Sequence, residues 1–382
     1  MSNSYKNKTL YRLFAVAPPG LEPLVAWELV QLGITPRLQA GGVSFRGGLP
    51  ELYRANLWLR VSSRVLLRVA EFKALHLGGL AQKVARYPWE LYIPPEFGLK
   101  IRATCVRSRI YHSGAVAERV KKGIEARLKR KLAASSPSML IVVRIFRDHC
   151  TISVDSSGAD LFKRGYKVGK GPAPLRENLA AALLLGSGWD RLKPVFDPFC
   201  GTGTVAIEAA MVLAHQAPGL KRGFAFEYWR NFDPHLWERL KDEARQRRIA
   251  PSEPIVWASD KAPGAIEATR LNVKAAGVED WIVISQRDIK DLRPPGVKKG
   301  WLITNPPYGQ RLRPSKDIRA LYGVLGGVFR RYFDHWQMAL LSPFPETPAF
   351  LGLALKKVTS FTHGGIKVRL FSTNPGEMLS LF

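Results

Sequence analysis

The chain has 382 residues, with 58 Lys+Arg against 31 Asp+Glu and a formal net charge of +27. Its 46% hydrophobic and 23% charged residues can fill ordinary cores, which excludes a disordered basic tail, and the length suits two or three compact units. Three widely spaced cysteines (Cys105, Cys150, Cys200), a polar start over Met1–Thr9 and no apolar run near the roughly 20 residues of a bilayer span exclude a disulfide framework, a zinc cluster, a leader and a membrane anchor, so a cytoplasmic protein is expected.

In chain order, alternation predicts a strand over Leu10–Ala17, broken by Pro18-Pro19-Gly20, and helical spacing follows over Leu21–Leu32. A short strand over Val43–Phe45, a helix over Leu49–Leu59 and a strand over Arg64–Phe72 complete a small α+β unit, with Arg54, Arg60, Arg64 and Arg68 expected on one basic face. A strand over Leu99–Cys105 then leads through Arg107, Arg109, Tyr111 and His112 into a helix over Ala115–Leu132. Two strands, Met139–Phe146 and Cys150–Asp155, meet at a tight turn over Arg147-Asp148-His149. From Arg119 to Lys131 the helix carries Arg119, Lys121, Lys122, Arg127, Lys129, Arg130 and Lys131 against Glu125 alone. Such a run is often a solvated face. Here an aromatic stands among cations, and residues 1–157 hold 25 basic against 10 acidic groups while the remainder hold 33 against 21, so the excess belongs to folded surfaces and points to nucleic-acid phosphates.

From Ser156 the pattern changes. A glycine-punctuated linker gives way to short apolar strands over Val195–Asp197, Ile255–Asp260, Ile282–Ser285, Trp301–Thr304 and Met338–Ser342. Helices are predicted between them over Thr204–Ala214, Pro234–Arg247, Ala262–Ala276 and Ile318–Tyr332. This is the alternation of a doubly wound, mostly parallel α/β sheet, with Lys367–Phe371 expected as an antiparallel strand at one edge.

Three constellations carry chemistry, and in such a sheet ligands bind beyond the carboxyl ends of the strands. In Asp197-Pro198-Phe199-Cys200-Gly201-Thr202-Gly203, the glycines let a ligand approach the backbone and the leading acid favours a cationic ligand over a phosphate. S-adenosylmethionine, with an α-amino group and a sulfonium, fits that charge. Asp260 and Asp288 end the next two strands, placed to accept ribose hydroxyls and an adenine amine; the 57-residue gap from Gly203 to Asp260 reads as an insertion. Asn305-Pro306-Pro307-Tyr308 is a stiff corner after a strand. It offers the Asn305 amide and the Pro306 carbonyl to the two N–H groups of a planar amine, with the Tyr308 ring to stack on the heterocycle.

These motifs resemble the class I S-adenosylmethionine-dependent amino-methyltransferases. With LFAVAPPGLEPLVAWEL, GGVSFRG, YHSGAVAERVKKGI, LFKRGY, APLRENLAAALL and IEAAM, nearly the whole chain is similar to the 23S rRNA guanine-N2 methyltransferases. The resemblance implies a ferredoxin-like unit over 10–60, a THUMP RNA-binding domain over 61–157 and a Rossmann-like methyltransferase over 158–382. It implies S-adenosylmethionine held by Pro174, Asp197, Phe199, Gly201, Thr202, Gly203, Asp260 and Asp288. Asn305, Pro306 and Tyr308 would act on the amine, and Arg109, Arg119, Lys121, Lys122, Arg127 and Lys131 would hold RNA. There are two departures. Some enzymes of this type continue into a second methyltransferase module, whereas this sequence is read to Phe382, and Lys261 stands where a small or acidic residue is usual. A related enzyme type modifies a guanine of the tRNA acceptor stem, and the motifs do not separate it from the rRNA type. A DNA amino-methyltransferase and a non-catalytic RNA-binding protein are the readings of other classes.

Overall fold

The computed structural model describes residues 10–133, 137–169, 171, 174–309 and 314–376. The chain opens with β1 (Tyr11–Val16), α1 (Glu22–Gln31), β2 (Arg37–Gln39), β3 (Gly42–Gly47), α2 (Leu49–Trp58) and β4 (Arg64–Lys73). It continues with α3 (Leu80–Ala85), β5 (Gly98–Val106), α4 (Ser113–Leu128), β6 (Ser138–Phe146) and β7 (His149–Asp155). Strand β4 pairs antiparallel with β7, from Leu66 opposite Asp155 to Lys73 opposite His149. The two expected N-terminal units therefore share one seven-stranded sheet, ordered β2-β3-β1-β4-β7-β6-β5.

The rest comprises α5 (Glu177–Gly186), β8 (Val195–Asp197), α6 (Thr204–Leu213), α7 (Pro234–Gln246), β9 (Val256–Asp260), α8 (Pro263–Ala276) and β10 (Ile282–Gln286). Then come β11 (Trp301–Thr304), α9 (Lys316–Tyr332), β12 (Gln337–Ser342), α10 (Thr347–Leu351), β13 (Lys356–His363) and β14 (Ile366–Ser372). The second sheet runs β10-β9-β8-β11-β12-β14-β13, five parallel strands followed by an antiparallel pair. The chain winds outward in one direction from β8 and in the other from β11, so a crevice opens between their carboxyl ends. The expected edge strand is β14, one place in from the edge; β13 takes the edge itself. Its sequence, KKVTSFTH, is too polar to read as a strand, as befits an exposed edge. No described helix is long and apolar enough to cross a membrane.

One continuous core joins the N-terminal sheet to the second one, running from Leu13 through Leu183 to Leu370. At the joint Glu28 accepts from the Arg60 and Val61 amides at 2.7 and 3.1 Å. The Arg164 guanidinium, 1% exposed, lies 3.4 Å from Glu208 and donates to the Arg60 and Leu161 carbonyls at 2.6 Å. Tyr166 donates to the same Glu208 at 3.1 Å. The segment between α6 and β9, including α7, accounts for the long Gly203–Asp260 interval. It wedges against α2, where Tyr53 stacks on Phe226 (centroids 4.4 Å apart) and meets the Trp237 edge at 5.7 Å.

This packing corrects the expected basic face. Arg60 is buried in the joint, with Nη2 on the Met211 and Gln216 carbonyls. Arg64 bonds Asp155 and lies 2.9 Å from Asp160. Arg68 lies over the Phe14 ring at 4.4 Å and donates to Gln39 at 2.8 Å. Arg54 sits 3.8 Å from Glu243. Cations spaced along a sequence carry no sign of which carboxylates the fold will bring to them.

Candidate active site

The glycine loop follows β8 and opens α6. Gly203 has φ 81°, and a Cβ there would lie 2.9 Å from Thr269 Cγ2, so the position takes glycine for both conformation and space. Gly201, with φ 54°, differs: a Cβ built on it meets nothing within 4 Å, so this stretch of backbone borders open space where a ligand can lie. Helix α8 holds the loop from behind. Thr269 donates to the Gly201 carbonyl at 2.9 Å, and Asn272 Nδ2 to the Thr202 carbonyl at 2.9 Å. Asn272 Oδ1 accepts from the Val168 and Gly169 amides at 2.9 and 2.7 Å, tying the linker to the same loop. Pro174 stands exposed further along that linker, ahead of α5. Neither Thr269 nor Asn272 was picked out by sequence reasoning. The available signal was two polar residues at i and i+3 on the buried face of α8.

Three acids sit at the carboxyl ends of neighbouring strands β8, β9 and β10. Asp197 is 1% exposed; its Oδ1 accepts from the Thr304 hydroxyl at 2.6 Å and from the Phe199 amide at 3.3 Å. Burial pushes its carboxyl up to about 7, the Thr304 and Phe199 hydrogen bonds pull the other way, and the negative Asp260 nearby adds to the rise. Asp260, half-buried at the carboxyl end of β9, accepts from the Gly201 amide at 3.1 Å and from the Ala262 amide at 3.0 Å, so it braces the glycine loop. Asp288, half-buried just past β10, accepts from the Lys290 amide at 3.0 Å. Phe199 packs against a second core cluster, which includes Leu302 and Phe371, and Lys261 is exposed.

The corner after β11 completes the crevice. Pro306 is buried, Pro307 exposed and Tyr308 half-buried, its phenol pushed up by burial. Asn305 Oδ1 is buried with no hydrogen-bond partner among the described residues. An unmet buried acceptor costs about 1–3 kcal/mol and calls for an explanation. A ligand N–H donor supplies one, and with the open face of Gly201 and the acids on β8–β10 it makes the crevice fit a cationic, ribose-bearing donor opposite a planar amine.

The six cations expected on RNA lie along α4 and its flanks. Arg119 is exposed and has no carboxylate within ion-pair distance among the described residues. Lys122 pairs with Glu118 at 2.8 Å, and Arg127 grips Glu90 through Nε and Nη2 at 3.1 and 2.5 Å. Lys121 and Lys131 lie 3.9 and 3.8 Å from Glu125, and Arg109 lies 3.9 Å from Asp148. The helix ends at Leu128, four residues before the expected end, because Lys129 takes a left-handed conformation (φ 52°); Lys131 therefore stands beyond it.

A family model described as the RMKL-like methyltransferase domain matches residues 164–369, the whole of this crevice. The chain belongs to the RMKL-like methyltransferase family. Residues 12–66 of this chain match an RlmL ferredoxin-like domain and residues 77–155 a THUMP domain, so the resemblance read from the motifs is borne out in all three segments. It is 37% identical to the ribosomal RNA large subunit methyltransferase K/L of Syntrophotalea carbinolica, over 96% of its own length and 54% of the relative's. The chain thus spans about half the length of the K/L relatives it matches. YpsC of Bacillus subtilis, provisionally named an RNA methyltransferase, is 32% identical over 94% of both chains. The crystal structure of SMU.472, provisionally a methyltransferase and solved with SAH, superposes with a TM-score of 0.87 at 32% identity, covering 96% of this chain and 98% of that one.

Proposed function

We propose that this methyltransferase works in the cytoplasm and methylates the exocyclic N2 amine of a guanosine in 23S rRNA or its precursor, with S-adenosylmethionine as donor. The observation that carries this reading is the buried, unpartnered Asn305 Oδ1 at the carboxyl end of β11, across the crevice from the glycine loop. Asp197, Phe199, Gly201, Thr202, Gly203, Asp260 and Asp288, with Pro174 on the linker, would hold the donor. When bound, the donor supplies an electrophilic methyl group on a positively charged sulfur.

The chain's own part is positioning and electrostatics. Asn305 Oδ1 and the Pro306 carbonyl accept the two amine N–H groups, which turns the nitrogen lone pair out of conjugation with the base. Tyr308 offers a half-buried ring for the base to stack on, and the proline pair keeps the corner from yielding. No strong base is required. A guanine must leave its stack to reach the corner, and loops or single strands of RNA release it at least cost. The THUMP match, the net charge of +27 and the names of the K/L relatives support RNA, and rRNA within it.

The test supplies S-adenosylmethionine carrying a labelled methyl group and compares deproteinised 23S rRNA with tRNA transcripts, reading the product nucleoside by mass spectrometry. N2-methylguanosine in 23S rRNA is expected. Label confined to tRNA overturns the rRNA assignment, a methylated adenine overturns the base, and no heat on donor titration overturns catalysis altogether.

A further inference from the structure

The backbone ladder between the donor strand and the acceptor strand stops short of both motifs. Strands β8 and β11 pair only at Val195–Trp301 and Phe196–Leu302. Past that point each strand carries the residues that matter: Asp197 and the glycine loop on one, Thr304 and the amine corner on the other. Among the described residues, a single side-chain hydrogen bond spans the gap, 2.6 Å from the Thr304 hydroxyl to Asp197 Oδ1. Thr304 is fully buried, and it immediately precedes Asn305.

Resting on the proposed donor and amine sites, we propose that Thr304 is a positioning residue, whose hydroxyl clamps the amine corner to the donor strand and sets the separation of nucleophile and methyl group. A hydrogen bond to a carboxylate is short and stronger than a neutral one, so it defines distance and direction. Its loss frees the last residue before Asn305 from β8, where a misplacement near 1 Å costs about a hundredfold in rate. The same bond helps Asp197 stay ionised against its burial and against the charge of Asp260, the groups that raise its pKa. Valine matches threonine in shape and lacks the hydroxyl; serine keeps the hydroxyl and lacks the methyl. The pair separates hydrogen bonding from packing.

The experiment compares the parent with Thr304→Val and Thr304→Ser. Donor affinity is titrated calorimetrically from pH 6 to pH 9, and single-turnover methyl transfer is measured on whichever RNA the parent modifies. In T304V the acid limb of donor binding should move to higher pH, since the contact that lowers the Asp197 pKa is gone, and transfer at pH 9 should fall about ten- to a hundredfold. T304S should restore both. A T304V protein with the parent's acid limb and transfer rate overturns the clamp, and so does a T304S protein as impaired as T304V, which would make the site one of volume. A parent that fails to bind the donor sinks the functional reading instead, before any variant is made. A parent that binds it without methylating RNA leaves the donor-binding limb to decide.

Discussion

The domain joint and the Asn305 corner both bury polar side chains, and they treat them in opposite ways. At the joint Arg164, Glu208, Tyr166 and Glu28 are bonded to one another or to backbone groups from both halves of the molecule. Several atoms there lack protein partners, among them Arg60 Nη1, Gln216 Oε1, Asn178 Oδ1 and Asn231 Oδ1, but each of these belongs to a side chain otherwise bonded. At the corner the Asn305 carbonyl oxygen is unpartnered, and beside the neighbouring loop the space off Gly201 is open. A satisfied network holds a structure; an unsatisfied acceptor beside a cleft marks where a ligand completes it.

The largest expected effect breaks the corner. Asn305→Ala should lower kcat by roughly 10²–10³-fold, the usual cost of one transition-state hydrogen-bonding group, while calorimetric donor affinity stays within about threefold. A near-normal kcat would remove the contrast with the joint. Glu208→Ala should break the joint itself. It leaves the Arg164 guanidinium buried without its counter-charge, and urea unfolding should show about 3–5 kcal/mol of lost stability. Folded E208A protein should still bind the donor, since the loss lies in architecture. Asp260→Ala stands between the two regions in kind, because that carboxylate sits at the carboxyl end of β9 and braces the Gly201 amide. Donor affinity should fall about ten- to a hundredfold, as expected for a charged hydrogen-bonding group.

A pH series sharpens the comparison further. Burial raises the Glu28 carboxyl from an ordinary 4.5 to about 7, against the pull of the Arg60 and Val61 amides. The folded chain therefore binds this proton more readily than the unfolded chain, and stability from this group falls as pH rises from 4.5 to 7. Glu28→Gln should flatten that slope in denaturation midpoints without changing donor binding; an unchanged slope would place the titration elsewhere. The smallest effects belong to the surface cations. Arg119→Ala should weaken RNA binding and lower the salt slope by about one, whereas Arg127→Ala, removing a cation already held by Glu90, should lower it less.

The placement of the crevice motifs was legible because it is written in contiguous words. A Gly-rich turn after an apolar strand, acids at strand ends and a double proline after a strand each declare their geometry locally. Strand limits were readable for the same reason: Trp301–Thr304 is an apolar run bounded by polar turns. What joins these words was not legible. The Thr304–Asp197 bond spans 107 positions and the Asn272 contacts reach Thr202 and Gly169 across 70 and 103 positions. A threonine at a strand end and an asparagine in a helix are too ordinary to announce such partners. The basic face expected on Arg60, Arg64 and Arg68 failed for the complementary reason. Charge is visible in a sequence, but the carboxylates and carbonyls that neutralise it come from residues far along the chain.

The core that runs unbroken from Leu13 to Leu370 gives the molecule no soft seam between its N-terminal sheet and its crevice. On the proposed function, the span between grip and corner is then a built-in measure, like the fixed jaws of a caliper. Selection of the target would fall to the nucleic acid: a guanosine is modified where the fold of the RNA delivers it at that distance, and a neighbour one helical step away is passed over.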